Sequence, residues 1–197
     1  MSFGYSVLGF GAHPQTPSGP VTLVYDTFTD ADSTALTAHT PDIDVVGGGW
    51  SSSAGALKIL SNKAKWGAAS NSHETSEIQT NKSDVVISVD VNSTAQFLGI
   101  LGRYVDDNNF WLAWMSKQTM RIYERTTGTD TERAYQGAAA AFPYTAVFTF
   151  SGTSIELTNG TQTISYTSAQ HQSATKHGIR KFQYDAGMYW DNFTVVG

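Results

Sequence analysis

Cysteine is absent from the 197 residues, and charge is sparse, with Asp, Glu, Lys and Arg making up 15% of the chain. The first absence excludes disulfides and thiolate chemistry and, with no lysine or arginine ahead of the apolar N-terminal stretch, leads us to expect synthesis without a signal peptide in a reducing cytoplasm. No run approaches the roughly 20 apolar residues of a membrane span. The net charge of −5 argues against nucleic acid or an anionic membrane as the main partner, since both attract basic surfaces. Phosphate-binding loops are missing too, and the five histidines at 13, 39, 73, 171 and 177 show no metal-ligand spacing. Long helical periodicity is also missing; one alanine-rich run, 137–143, is a helix candidate too short to stand alone.

What is present is strand. The chain is organised around residues 96–128, QFLGILGRYVDDNNFWLAWMSKQTMRIYERTTG. The spacing predicts three antiparallel strands at 97–105, 110–116 and 119–126, joined by an Asp-Asp-Asn-Asn turn and a Lys-Gln turn. Side chains alternate across a strand, so the first, apolar on both faces, is expected to be buried on both sides over much of its length. Strict alternation places Phe97, Leu101 and Arg103 opposite Leu98, Ile100 and Tyr104, and Phe110, Leu112 and Trp114 opposite Trp111. The expected core includes Val85, Ile87, Val89, Phe97, Leu101, Leu112, Trp114 and Phe193.

Further strands are predicted at 21–29, 84–91, 130–135, 144–151, 154–157, 161–166, 178–184 and 189–196, with a strand pair across 50–60 and a short strand at 64–68. Asn159-Gly160 marks a hairpin turn. The polar stretch 71–80 carries no clear strand pattern. About a dozen short strands at this spacing argue for one all-β, two-sheet antiparallel sandwich over 21–197. Residues 1–20 stand apart as an apolar, glycine-rich arm followed by a proline-rich linker, PQTPSGP.

RYVDDNNFWLAW with MRIYERTTG, together with YDTFTDADSTAL and YWDNFTVVG, resembles the concanavalin A-like and laminin-G-like jelly rolls. That resemblance implies a jelly-roll sandwich and leaves function open, because the group hosts lectins, hydrolases and viral proteins. The Glu-x-Asp-x-x-Glu strand motif of its laminarinase-type members does not occur here, so catalysis is not expected. The group's usual pairing of first and last strands would bring Asp26 and Asp30 near Asp191, where oxygen ligands suit calcium. Those same aspartates also suit turn capping. Glycan contacts are expected from an aromatic platform with polar neighbours, drawn from Trp66, Arg103, Tyr104, Trp111, Arg121 and Tyr123.

The segment MSFGYSVLGFG resembles the N-terminal attachment segments of tailed-phage virion proteins. This implies a virion component, on a capsid or a tail, docked to other virion proteins through Phe3, Tyr5, Val7, Leu8 and Phe10. One such arm would bind weakly, which predicts a homo-oligomer such as a trimer. A free carbohydrate-binding module and a glycan hydrolase are the alternatives.

Overall fold

The computed structural model describes residues 19–67, 73–94, 97–137 and 141–197. In chain order its strands are β1 (Thr22–Asp26), β2 (Ile43–Asp44), β3 (Ser51–Ala54), β4 (Lys58–Ile59), β5 (Ala64–Lys65), β6 (Glu74–Gln79), β7 (Val85–Asn92) and β8 (Leu98–Asp106). They continue with β9 (Asn109–Met115), β10 (Thr119–Thr126), β11 (Thr129–Gly137), β12 (Tyr144–Ser151), β13 (Ser154–Thr158), β14 (Thr163–Thr167), β15 (Lys176–Lys181) and β16 (Tyr189–Val196). One sheet runs β14-β13-β12-β7-β16-β1-β2, with β5 and β4 attached beside β16. The other runs β11-β10-β9-β8-β15-β6-β3. All pairings are antiparallel, and the two sheets form a jelly-roll sandwich.

Period-2 patterning built the first sheet. Along β7, Val85, Ile87, Val89 and Val91 are buried while Val86 is 40% exposed. Ala146, Phe148 and Phe150 of β12 point the same way, and the Phe148 and Phe150 rings meet edge-on at 4.6 Å. Trp111 and Trp190 fill the space between the sheets, with their indole N–H groups donating to the Gln170 and Gly99 carbonyls at 2.9 and 3.1 Å. Each such ring contributes about 1.5–3 kcal/mol or more through burial.

The structure departs from strict alternation on β8. Arg103 sits at φ +46° in a bulge where pairing with β9 breaks between Gly102 and Asp106. The bulge turns Arg103 out of the Leu101 row and puts Tyr104 into it. On β9 the expected faces are inverted: Trp111 lies between the sheets, and Trp114, with Phe97, packs on the outward side of the second sheet, half-buried.

The polar stretch 71–80 contains a central strand, β6. Its polar side chains are buried in pairs: Glu74 with Lys181 at 3.1 Å, Thr75 with Arg180 at 3.0 Å, Glu77 with Ser51 at 3.1 Å. Partnering across the sheet replaces apolar patterning there, which is why the pattern left no signal. The two strands within 50–60 do not pair: β3 joins β6, and β4 joins β5. The N-terminal arm, with Phe3, Tyr5, Val7, Leu8 and Phe10, and most of the helix candidate lie outside the described residues.

Candidate functional site

The site is built on the outward face of the β11-to-β3 sheet. Cross-strand pairing sets Thr75, Arg180, Gly99, Trp114, Arg121 and Tyr135 in one row. Glu77, Gly178, Leu101, Leu112, Tyr123 and Glu132 form a second row two residues along. Among the described residues no third layer covers these rows; the aromatic side chains cover one another. Trp114 stacks on Phe182 at 4.7 Å and 10°, receives the edge of Phe97 at 4.7 Å, and meets Tyr123 at 4.9 Å. Gly99 makes room for this, since a Cβ there would stand 2.7 Å from Leu112 Cδ1 and 3.1 Å from Phe182 Cε2.

Trp114, Phe97, Phe182, His73 and Gln183 line an open cleft of about 240 Å³. The Trp114 indole Nε1 is buried without a hydrogen-bond partner. Arg180, only 4% exposed, lies under the cleft between Phe110 at 5.0 Å and Phe182 at 5.6 Å. Its Nη1 donates to Thr75 Oγ1 and its Nη2 to His73 Nδ1, both at 3.0 Å. Burial, and then the Arg180 charge, hold the His73 imidazole below its ordinary range.

On one flank Arg121 Nη1 donates to Glu132 Oε2 at 2.8 Å and to the Tyr123 hydroxyl at 3.1 Å, beneath the Tyr135 ring. On the other, the Tyr104 hydroxyl lies 2.7 Å from Ser53 Oγ and 3.0 Å from Asp107 Oδ1, and burial pushes its pKa up.

Of the six glycan-contact candidates, the fold brings Tyr104, Arg121 and Tyr123 to this face. Three others stand elsewhere. Trp111 is wholly interior. Arg103 is buried at the sandwich edge, donating to Asp84 at 2.8 Å, Ser83 O at 3.1 Å and Gly152 O at 2.7 Å, so it ties loops together. Trp66 packs edge-on against Tyr184 at 5.0 Å and is not part of the cleft lining. Sequence reasoning placed Trp114 and Phe97 in the core and passed over His73, Phe182 and Arg180. The available signal was β8 and β9 being apolar on both faces with no predicted element to cover the second one.

The expected calcium ligands do not converge. Asp26 is fully buried and accepts from Trp50 Nε1 at 2.7 Å, the Phe28 amide at 2.6 Å and His39 Nε2 at 2.9 Å. Asp30 holds the other nitrogen of His39 at 3.0 Å, while Asp191 is paired with Lys63. Burial pushes His39 down, but the bonds and charges of Asp30 and Asp26 outweigh it and hold the imidazole above its ordinary value. Among the described residues no group of three or more His, Asp or Glu side chains is placed to share a metal ion.

Two other clefts carry less aromatic surface. One of about 450 Å³ is lined by residues 37–41, Asp44 and 47–49, where the one ring is that of His39, held between Asp26 and Asp30. One of about 300 Å³ on the opposite sheet contains Tyr144, stacked on Phe142 at 4.8 Å, and Tyr189, whose ring meets the Lys63 ammonium at 4.3 Å.

No protein-family profile matches the chain, and no curated protein matches it. Among solved structures it resembles the carbohydrate-binding module CBM66 from Bacillus subtilis, at 13% identity and TM-score 0.58 over 75% of this chain and 95% of that one. It also aligns with chicken galectin 2 at 9% identity, TM-score 0.45, over 60% of this chain and 96% of that one. The Caenorhabditis elegans galectin LEC-6 aligns at 13% identity, TM-score 0.43, over 61% and 89%. At such identities the CBM66 likeness is one of fold, and it agrees with the two-sheet jelly roll. Nothing in these comparisons supports a virion role.

Proposed function

We propose that the chain is a carbohydrate-binding domain whose glycan lies on the outward face of the β11-to-β3 sheet, in the cleft beside Trp114. The observation that carries this reading is the open aromatic cluster of Phe97, Trp114, Tyr123 and Phe182 beside fixed polar groups. Apolar rings on a solvated face are costly unless something covers them, and the apolar C–H faces of a sugar suit such rings while its hydroxyls reach the flanking polar groups. At about 240 Å³ the cleft is below the roughly 300–1,000 Å³ usual for drug-sized ligands, which fits a short stretch of a glycan lying in an open groove. The fold likeness to CBM66, itself a carbohydrate-binding module, is in keeping with this reading. It takes precedence over the virion expectation, whose arm lies outside the described residues.

Titration calorimetry against a glycan panel tests the proposal. A binding glycan should lose about 2 kcal/mol, roughly 30-fold in Kd, on Trp114→Ala, while the variant stays folded. A glycan bound with unchanged affinity by Trp114→Ala, or no binding across the panel, overturns it.

A further inference from the structure

The cleft offers a histidine donor above a buried cation and few acceptors. Arginine has no acceptor atom, so the 3.0 Å contact between Arg180 Nη2 and His73 Nδ1 requires Nδ1 to accept. The proton of the neutral imidazole therefore sits on Nε2, and His73, an exposed residue of the lining, offers an N–H donor. Two more N–H groups on this face, Trp114 Nε1 and Arg180 Nε, are buried with no acceptor. Of the lining side chains, only the Gln183 amide can receive a hydrogen bond.

The charges agree with the donor count. Arg180 is a buried cation whose one ion pair among the described residues is long, 3.7 Å to Asp107. That carboxylate also serves Ser53 at 2.8 Å. His73 lies against the Arg180 cation, while Arg125 and Lys181 nearby are each paired, with Asp130 at 2.8 Å and Glu74 at 3.1 Å. A neutral sugar hydroxyl must donate as well as accept, and it finds few acceptors here. A carboxylate only accepts, and it supplies the negative charge that Arg180 lacks at close range.

Building on the glycan-binding reading, we infer that the cleft selects an acidic sugar, with the carboxylate of a uronic or sialic residue seated against His73 Nε2–H above the Arg180 guanidinium. Arg180 is then a positioning residue: it fixes the His73 tautomer and contributes charge from beneath. The specificity is for the acid group, whereas the aromatic cluster takes the ring.

The test uses the full chain and matched pairs of oligosaccharides, each acidic member (galacturonate, glucuronate, mannuronate or sialylated) beside its carboxyl-reduced counterpart, with sulfated neutral oligosaccharides as a third arm. We expect at least one acidic member to bind tenfold or more tighter than its reduced partner at low salt. The gap should narrow in 0.5 M NaCl because exposed charges are screened. His73→Leu, which removes the donor and keeps the bulk, should cost the acidic ligand tenfold or more beyond what it costs the reduced partner, in a variant that still unfolds cooperatively. A Trp114-dependent neutral glycan that binds as well as its acidic form, or a His73→Leu loss equal for both, overturns acid selection and leaves the glycan reading standing. Binding of sulfated ligands without carboxylated ones overturns the carboxylate assignment. Absence of any Trp114-dependent binding overturns both readings.

Discussion

The two outward faces of this sandwich are built on opposite principles. On the β7 side, Val86, Ser88, Asp90, Thr145 and Thr149 form an ordinary solvated surface, where Asp90 is tied to Thr145 at 2.5 Å and to Asn192 at 2.8 Å. On the β9 side, Leu101, Leu112, Phe110 and Phe182 are buried in a second apolar cluster, with no further sheet over them among the described residues. The first face keeps its alternation, apolar in and mostly polar out, with Val86 as an isolated exposed valine. The second places apolar side chains on a surface, which is stable only because the rings pack on each other and bury one another's area. A sheet face that resembles half a core marks a place where something else is meant to pack.

The sharpest way to break this contrast uses two tryptophans three positions apart on one strand. Trp111→Ala empties the space between the sheets and should cost about 3–5 kcal/mol in urea unfolding. Trp114→Ala should cost clearly less, because its ring is half-buried and solvent can fill the gap, yet it should weaken glycan binding roughly 30-fold. Equal losses of stability would show that the outward cluster is a second core and not a binding face.

Acid comes next in size. His177 is completely buried, and burial, reinforced by the Arg103 charge, pushes it down to about 4 against the opposing hydrogen bond to Lys82 O. Its folded pKa lies below the ordinary 6.5, so the unfolded chain takes the proton first. The stability it contributes is full above pH 6.5 and is lost as pH falls through that value towards 4, by roughly 3 kcal/mol. His177→Gln should flatten most of the loss of stability between these pH values, and His73→Gln, whose imidazole is also held low by burial and Arg180, should flatten it in the same direction. A wild-type stability that is flat over this range would contradict the buried, neutral His177.

Two glycines of β8 sharpen the comparison on a smaller scale. A Cβ at Gly102 would stand 2.1 Å from the Phe150 ring in the interior, so Gly102→Ala should cost about 1–3 kcal/mol by overpacking. A Cβ at Gly99 meets the Leu112 and Phe182 side chains on the outward face, beside Trp114. Gly99→Ala should therefore be milder in thermal melting but should disturb glycan affinity by shifting Phe182. Val86→Thr, on the solvated face, sets the floor: we expect a change within about 0.5 kcal/mol and no effect on binding.

How legible all this was depended on which neighbour a residue answers to. The strands β7, β10, β12 and β16 follow from alternation and turn chemistry, which are properties of the local chain. So does the two-sheet class, since many short strands with apolar faces have few other ways to bury them. Tyr123 and Arg121 could be set together on one face because β10 alternates cleanly. Arg103 misled because its bulge is invisible to a period-2 count. Trp111 and Trp114 were exchanged because both faces of β9 are apolar, and an apolar run carries no mark of which side meets the opposite sheet. Strand β6 was hidden because its buried Glu74, Thr75 and Glu77 are matched by Lys181, Arg180 and Ser51, partners up to 107 residues distant in the chain.

An all-β chain, the bounds of most of its strands to within a few residues and the aromatic richness of its centre follow from the residues alone, because these depend on side-chain period and turn preference over a few residues. Which aromatic face the second sheet covers and which it leaves open was settled by packing in three dimensions. It also brought His73 and Arg180 to the edge of Trp114. Those choices are made by pairing across the sheet and by packing between sheets, and both join residues that local sequence leaves unconnected.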